Sequence, residues 1–265
     1  MSQLAGETLF DAHCHLERAT YGDGVGEVIQ RARASGVRWL ATIGSDKGLE
    51  AAQEAIALAD TDDHIVATVG VHPHWASLVD DVMWVELCAL AAHPKVVAIG
   101  ETGLDYHYDT SPRELQQAVL RRHIALAHDL EKPLVIHVRE AYPDLLRILA
   151  EEDAGTLDAV VIHCFTGTRA EAEQCLERGY TLSISGIVTF KRAGEIPEVA
   201  RTVPLDRLLI ETDAPFLAPI PYRGKQNEPA FLAHTAAFIA ELRGMPLSDL
   251  ARATRETTCR VYGLT

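Results

Sequence analysis

The sequence has no apolar run long enough to cross a bilayer, which excludes a membrane-spanning helix. Its cysteines, Cys14, Cys88, Cys164, Cys175 and Cys259, form no CxxC pair, so neither a disulfide framework nor a zinc knuckle is indicated and a reducing compartment is expected. Positive charge is also scarce. With 24 Lys and Arg against 38 Asp and Glu, the formal net charge of -14 excludes the broad cationic face of a non-specific nucleic-acid binder, though a local basic cluster stays compatible with it. The first residues carry neither a basic region nor an apolar stretch, so no leader is expected and the cytoplasm is the expected location. No low-complexity linker interrupts the chain.

What is present is an ordinary globular composition, 48% hydrophobic and 23% charged, over a length that suits one α/β barrel domain spanning residues 1–265. Apolar, β-branched segments at 8–13, 37–44, 65–72, 96–101, 133–138, 159–164, 180–186 and 207–212 read as eight strands. Helical stretches lie between them, among them 46–59, 112–130 and 168–178, and two more helices follow, one over 228–244 and one after Pro246. From His13 to Asp213 there are 200 residues over seven strand intervals, or about 29 for each strand and helix. The expected fold is α/β, a (β/α)8 TIM barrel, with a doubly wound open sheet as the alternative.

Active sites of such barrels lie at the C-terminal ends of the strands, and polar residues collect there: His13 and His15, His72, Glu101, His137, His163, Glu211 and Asp213. In an extended segment alternate side chains share a face, so His13 and His15 point one way and Cys14 the other; the same parity turns Cys164 from His163. Histidines gathered without a metal would lose hydrogen bonds or repel when protonated, whereas a divalent cation makes imidazole and carboxylate neighbours mutually favourable. His13, His15, His137 and His163 with two carboxylates exceed the ligand set of one catalytic zinc, so two metals are expected, with Glu101 the natural bridge. Mixed nitrogen and oxygen donors suit zinc, manganese, iron or cobalt better than magnesium.

The stretches "DAHCHL", "GVHPH", "GETGLDYHYD", "KPLVIHVREA", "HCFTGT", "SISGIVTFK" and "ETDAPFLAP" followed by "RGKQNEP" run in order from residue 11 to 229. This ordered set resembles the TatD family of metal-dependent deoxyribonucleases, within the amidohydrolase-like barrels. The resemblance implies a first metal on His13, His15 and Asp213, a second on His137 and His163, and Glu101 bridging them. The departures, Ala12, Leu120, His123, Cys259 and Tyr262, fall outside this ligand set.

For phosphodiester hydrolysis the two metals (zinc, manganese or magnesium) would share a hydroxide, with Asp213 and Glu101 as the catalytic carboxylates and Asp213 accepting the proton. Arg139, Lys191 and Arg223 are candidates for phosphate, His72 for phosphate or a further ion, and Tyr106 for stacking on a base. The bland alternatives are a solvated surface position for each cation, a loop histidine fixed by Pro73, and a tyrosine that packs its own loop. Glu211 is expected deeper, orienting a ligand histidine. The expected substrate is DNA, single-stranded or accessible at its ends, handled by a monomer without membrane attachment. A metal-dependent ester or amide hydrolase, such as an aminoacyl-RNA deacylase, is the competing enzyme class, and a non-catalytic metal-binding scaffold is the third reading.

Overall fold

A computed structural model describes residues 8–264 of the chain. The absence of a leader was read partly from residues 1–7, which lie outside that range. Strands β1 (Leu9–Cys14), β2 (Val37–Gly44), β3 (Ile65–Val69), β4 (Val96–Asp105), β5 (Leu134–Arg139), β6 (Val160–Ile162), β7 (Thr181–Ile184) and β8 (Leu208–Ile210) coincide with the eight expected segments. Nearly all their residues are buried, as parallel strands covered on both faces require. They are hydrogen-bonded neighbours in chain order in one sheet. Past the last residue of β8, the Asp213 N–H donates to the His13 carbonyl at 2.9 Å and the His15 N–H donates to the Ala214 carbonyl at 2.7 Å, joining the last strand's exit to the first. Sequential order closed in this way is the α/β barrel, and it removes the doubly wound alternative, whose order reverses partway through the sheet.

The helices are α1 (Arg18–Tyr21), α2 (Val25–Ala34), α3 (Glu50–Asp60), α4 (Asp81–Ala91), α5 (Arg113–Asp129), α6 (Tyr142–Glu151), α7 (Arg169–Glu177), α8 (Ile196–Thr202), α9 (Leu232–Arg243) and α10 (Leu247–Val261). Their limits follow local chemistry. Pro112 precedes α5, Asp80 caps α4 by accepting the Met83 N–H at 2.8 Å, and Gly244 ends α9 in the left-handed conformation at φ 64°. In α6 the buried Tyr142, Leu145, Leu146, Ile148 and Leu149 recur at helical spacing and make one apolar stripe. Among the described residues no helix is long and apolar enough to cross a membrane.

Two compact units make up the described chain. The first takes residues up to Ala41, Cys164–Gln174 and those from Leu182 onward. In it Phe10 stacks on Trp39, and the buried Tyr262 hydroxyl donates to the Ala12 carbonyl at 2.9 Å, so α10 fixes β1 from behind. The second takes Thr42–His163 and Cys175–Thr181. Here two strand limits depart from expectation. β3 stops at Val69, and His72 instead begins a short 3-10 turn over Pro73–Leu78. β4 runs past Glu101 to Asp105, with a register shift against β5 between Ile99 and Thr102.

The turn after β3 is held by His123 of α5, whose Nε2 accepts the Val71 N–H at 3.0 Å while Nδ1 meets the Val119 carbonyl at 2.8 Å. Only the neutral ring can do both. Burial pushes the His123 pKa down to about 4 from an ordinary 6.5. The unfolded chain therefore takes up a proton first as pH falls, so stability from this ring is complete above about pH 6.5 and drains away towards about pH 4. His123→Gln keeps an acceptor and a donor without titrating. Urea unfolding of both proteins from about pH 7 to 4 should show the difference shifting towards the variant by roughly 3 kcal/mol. A pH-independent difference would refute the assignment.

Candidate metal centre

The first unit places three donors at the ends of β1 and β8. Strand parity turns His13 and His15 together and sends the Cys14 thiol to the Ala41 carbonyl at 3.4 Å. Beyond Ile210 the chain is carried to Asp213 by Asp11, whose carboxylate accepts the Thr212 N–H at 2.9 Å and the Thr212 hydroxyl at 2.5 Å. Burial pushes the Asp11 pKa up to about 8 in spite of those hydrogen bonds. Asp213 turns left-handed at φ 54°, a conformation rare for a non-glycine residue and concentrated at functional sites. Its Oδ1 stands 3.8 Å from His13 Nε2 and 3.7 Å from His15 Nε2. Glu17 Oε1 lies 3.5 Å from His15 Nδ1, on the side of the ring opposite the nitrogen that faces Asp213.

The second unit gathers a larger set. Oε1 of the buried Glu101 lies 2.7 Å from His163 Nε2, 3.1 Å from His137 Nδ1 and 3.6 Å from His72 Nε2. On its other side the His137 ring meets Asp105, with Nε2 3.2 Å from Oδ2, and His74 Nε2 reaches the same oxygen at 2.9 Å. Asp105 Oδ1 accepts the N–H groups of His107 at 3.0 Å and Tyr108 at 2.9 Å. Burial alone would raise the Asp105 pKa, but hydrogen bonds from His137 and His74 outweigh it and hold the carboxyl well below the usual range. Burial works against a charged His137 as well, yet Asp105 and Glu101 raise its pKa. Gly103 makes the approach possible: it pairs with His137 in register, and a Cβ there would lie 1.9 Å from the His137 carbonyl oxygen.

The donor chemistry fits divalent cations. His13, His15 and Asp213 each offer an atom within 4.8 Å of the others, as do His72, Glu101 and His137. The Asp213 oxygen, 3.7 and 3.8 Å from the two imidazole nitrogens, leaves all three residues close enough to serve a common cation.

Other expected residues stand as follows. Arg139, half-buried at the end of β5, lays its guanidinium 4.8 Å from the Tyr108 ring centre. The Arg113 guanidinium lies over one face of the Tyr106 ring at 4.2 Å, and the Tyr106 hydroxyl donates to Asp144 and accepts from Gln117. Tyr108, two residues on, is exposed and stands edge-on to His74. Lys191 and Arg223 are exposed outside both donor groups, with Arg223 over the Phe190 ring. Glu211 accepts the Cys164 N–H at 2.7 Å and the Ser183 hydroxyl, and an oxygen of it comes within 4.8 Å of a His13 nitrogen. Cys164 adopts φ 42°, so strand parity does not extend to it; its thiol lies 3.2 Å from the Ser185 hydroxyl. Sequence reasoning missed His74 and Asp105. His74 repeats the one-residue spacing of His13 and His15, and Asp105 follows from continuing the parity of Glu101 through Gly103.

The family described as TatD related DNase matches residues 10–263. The chain belongs to that family. It is 43% identical over 256 residues to the uncharacterized metal-dependent hydrolase YabD of Bacillus subtilis, covering 96% of this chain and 98% of that protein. It is 38% identical over 262 residues to the 3'-5' ssDNA/RNA exonuclease TatD of Erwinia tasmaniensis, covering 97% and 100%. The crystal structure of YJJV, a TatD homologue from Escherichia coli K12, superimposes with a TM-score of 0.89 at 30% identity, covering 97% of this chain and 98% of that one. As a member of the TatD family the protein is a metal-dependent hydrolase.

Asp105 gives this metal dependence a test outside the donor atoms. Asp105→Asn weakens the hold on the His137 ring, so cation affinity at the second group should fall about 10- to 100-fold, the usual cost of losing such an outer partner. Titration of metal-free protein against a competing chelator measures it. Unchanged affinity would leave Asp105 with only its loop contacts.

Proposed function

We propose that this TatD-family hydrolase cleaves phosphodiester bonds of DNA from single-stranded or otherwise accessible ends, as an exonuclease working with two divalent cations. The observation that carries the reading is the pair of nitrogen and oxygen donor groups, one in each unit, with a carboxylate in each. His13, His15 and Asp213 would hold one cation, and Glu101 with His72, His137 and His163 the other; zinc or manganese matches these donors better than magnesium. The similarity to an exonuclease of single-stranded DNA and RNA supports a nucleic-acid substrate.

Bound cations supply Lewis acidity at a phosphoryl oxygen and lower the pKa of water in the site. The chain supplies the rest. Asp213 accepts the proton of the attacking water, and its backbone, tied to β1 by the His13 carbonyl, keeps the carboxylate in place. Charge grows on the phosphoryl oxygens as the bond to phosphorus forms, and the Arg139 guanidinium, two residues past His137, is assigned to donate to them. In a chain of net charge -14, Arg139, Lys191 and Arg223 also offset repulsion of the incoming phosphates.

Metal-free protein should not cleave end-labelled single-stranded DNA, and added manganese or zinc should restore cleavage. Parallel assays on single-stranded RNA and on aminoacyl-RNA decide the substrate class; release of the amino acid without cleavage of either polymer would replace this reading with the deacylase. Asp213→Asn keeps an oxygen for the cation but loses basicity. Turnover should fall about 10²- to 10⁴-fold while most of the metal is retained. Loss of metal in proportion to activity would make Asp213 a ligand and not the base.

A further inference from the structure

Resting on the nuclease reading above, we propose that Phe216 is a stacking platform for the nucleobase at the end of the strand, so that the base, and not the phosphate alone, positions the substrate at the first donor group. Phe216 is 60% exposed, unusual for a phenylalanine in a chain whose large apolar residues are mostly buried. A lone exposed apolar side chain needs no explanation by itself. Two observations set this one apart.

The first is its place. Phe216 follows the Asp213 turn, its N–H donates to the Asp213 carbonyl at 2.9 Å, and its ring meets that of His15 edge-on, centroids 6.2 Å apart. A base laid on the open face of Phe216 is therefore one ring away from a metal-binding histidine. The second is its rigidity. Fully buried Asn227 donates through Nδ2 to the Phe216 carbonyl at 2.6 Å and the Thr212 carbonyl at 2.9 Å, and its own N–H donates to the Pro215 carbonyl at 2.9 Å. Asn227 thus fastens the loop from both sides of Asp213. A ring carried on backbone that is already fixed loses less entropy when a ligand covers it than one on a mobile loop.

The same loop carries the charge a nucleic acid requires. Arg223 is parked over Phe190 at 3.8 Å, and Lys225 over Tyr222 at 5.5 Å, with both cations exposed. An aromatic platform flanked by cations is how single-stranded nucleic acids are held without sequence preference, because every base has a π-face. A protein partner would ask for a wider apolar patch than this ring provides.

The test compares wild type with Phe216→Ala, Phe216→Leu and Phe216→Trp, on a labelled single-stranded DNA and on the same strand with abasic terminal nucleotides. Binding is followed by fluorescence anisotropy and cleavage by KM and kcat. Base stacking of the usual strength predicts that Phe216→Ala weakens binding and raises KM about 5- to 100-fold on the base-bearing strand. Trp should restore the loss and Leu should not, and the gap between wild type and Ala should close on the abasic strand. Equal binding by wild type and Ala on the base-bearing strand overturns the platform. So does an undiminished gap on the abasic strand, which would assign Phe216 to holding His15. If wild type binds the strand but does not cleave it, weaker binding by Ala keeps the platform and removes the nuclease reading; wild type that binds neither strand overturns both.

Discussion

The fold and the first donor group both depend on the buried clasp between Asp11 and Thr212. Regular pairing of β8 ends at Ile210, and a strand that leaves its ladder inside a protein leaves backbone donors to satisfy. Asp11 takes the place of a strand neighbour, accepting the N–H and hydroxyl of a residue 201 positions away. With the Thr212 N–H accounted for, the chain can leave the extended form one residue later, at Asp213. Each side of the clasp is worth little unless the other is formed, because a carboxyl group buried without hydrogen-bond partners is unfavourable.

The second group is organised around a different constraint, a carboxylate sealed among imidazoles. Glu101 is too buried to be stabilised by water, so its charge must be met by neighbouring protons or by a cation. Asp105 repeats the arrangement one step further out, and the backbone N–H groups of His107 and Tyr108 complete its shell. The consequence for the loop is direct. Whatever moves the His137 ring also pulls on the turn that presents Tyr108.

Much of this was legible in the sequence because parallel strands write themselves as continuous apolar runs, and because polar residues ending such runs have few places to be other than the barrel mouth. Parity placed His13, His15 and Cys14 correctly, since β1 is regular throughout. It failed where the backbone ceases to be a strand. The β4 bulge after Ile99 made "GETGLD" look like an exit loop, which hid Asp105. Cys164 and Asp213 sit at positive φ, which alternating patterns do not anticipate. The ties made by Asp11 and Asn227 join positions remote along the chain, and no local pattern reports such pairs.

The two donor groups differ in how their members are spread along the chain. The second is drawn from residues 72 to 163, whereas the first needs His13 and Asp213, 200 positions apart by subtraction. A chain emerging from synthesis has made every ligand of the second group before β8 exists, but until then offers only two imidazoles at the first. The first donor set is therefore complete only once the last strand has reached the first, so its assembly reports closure of the sheet.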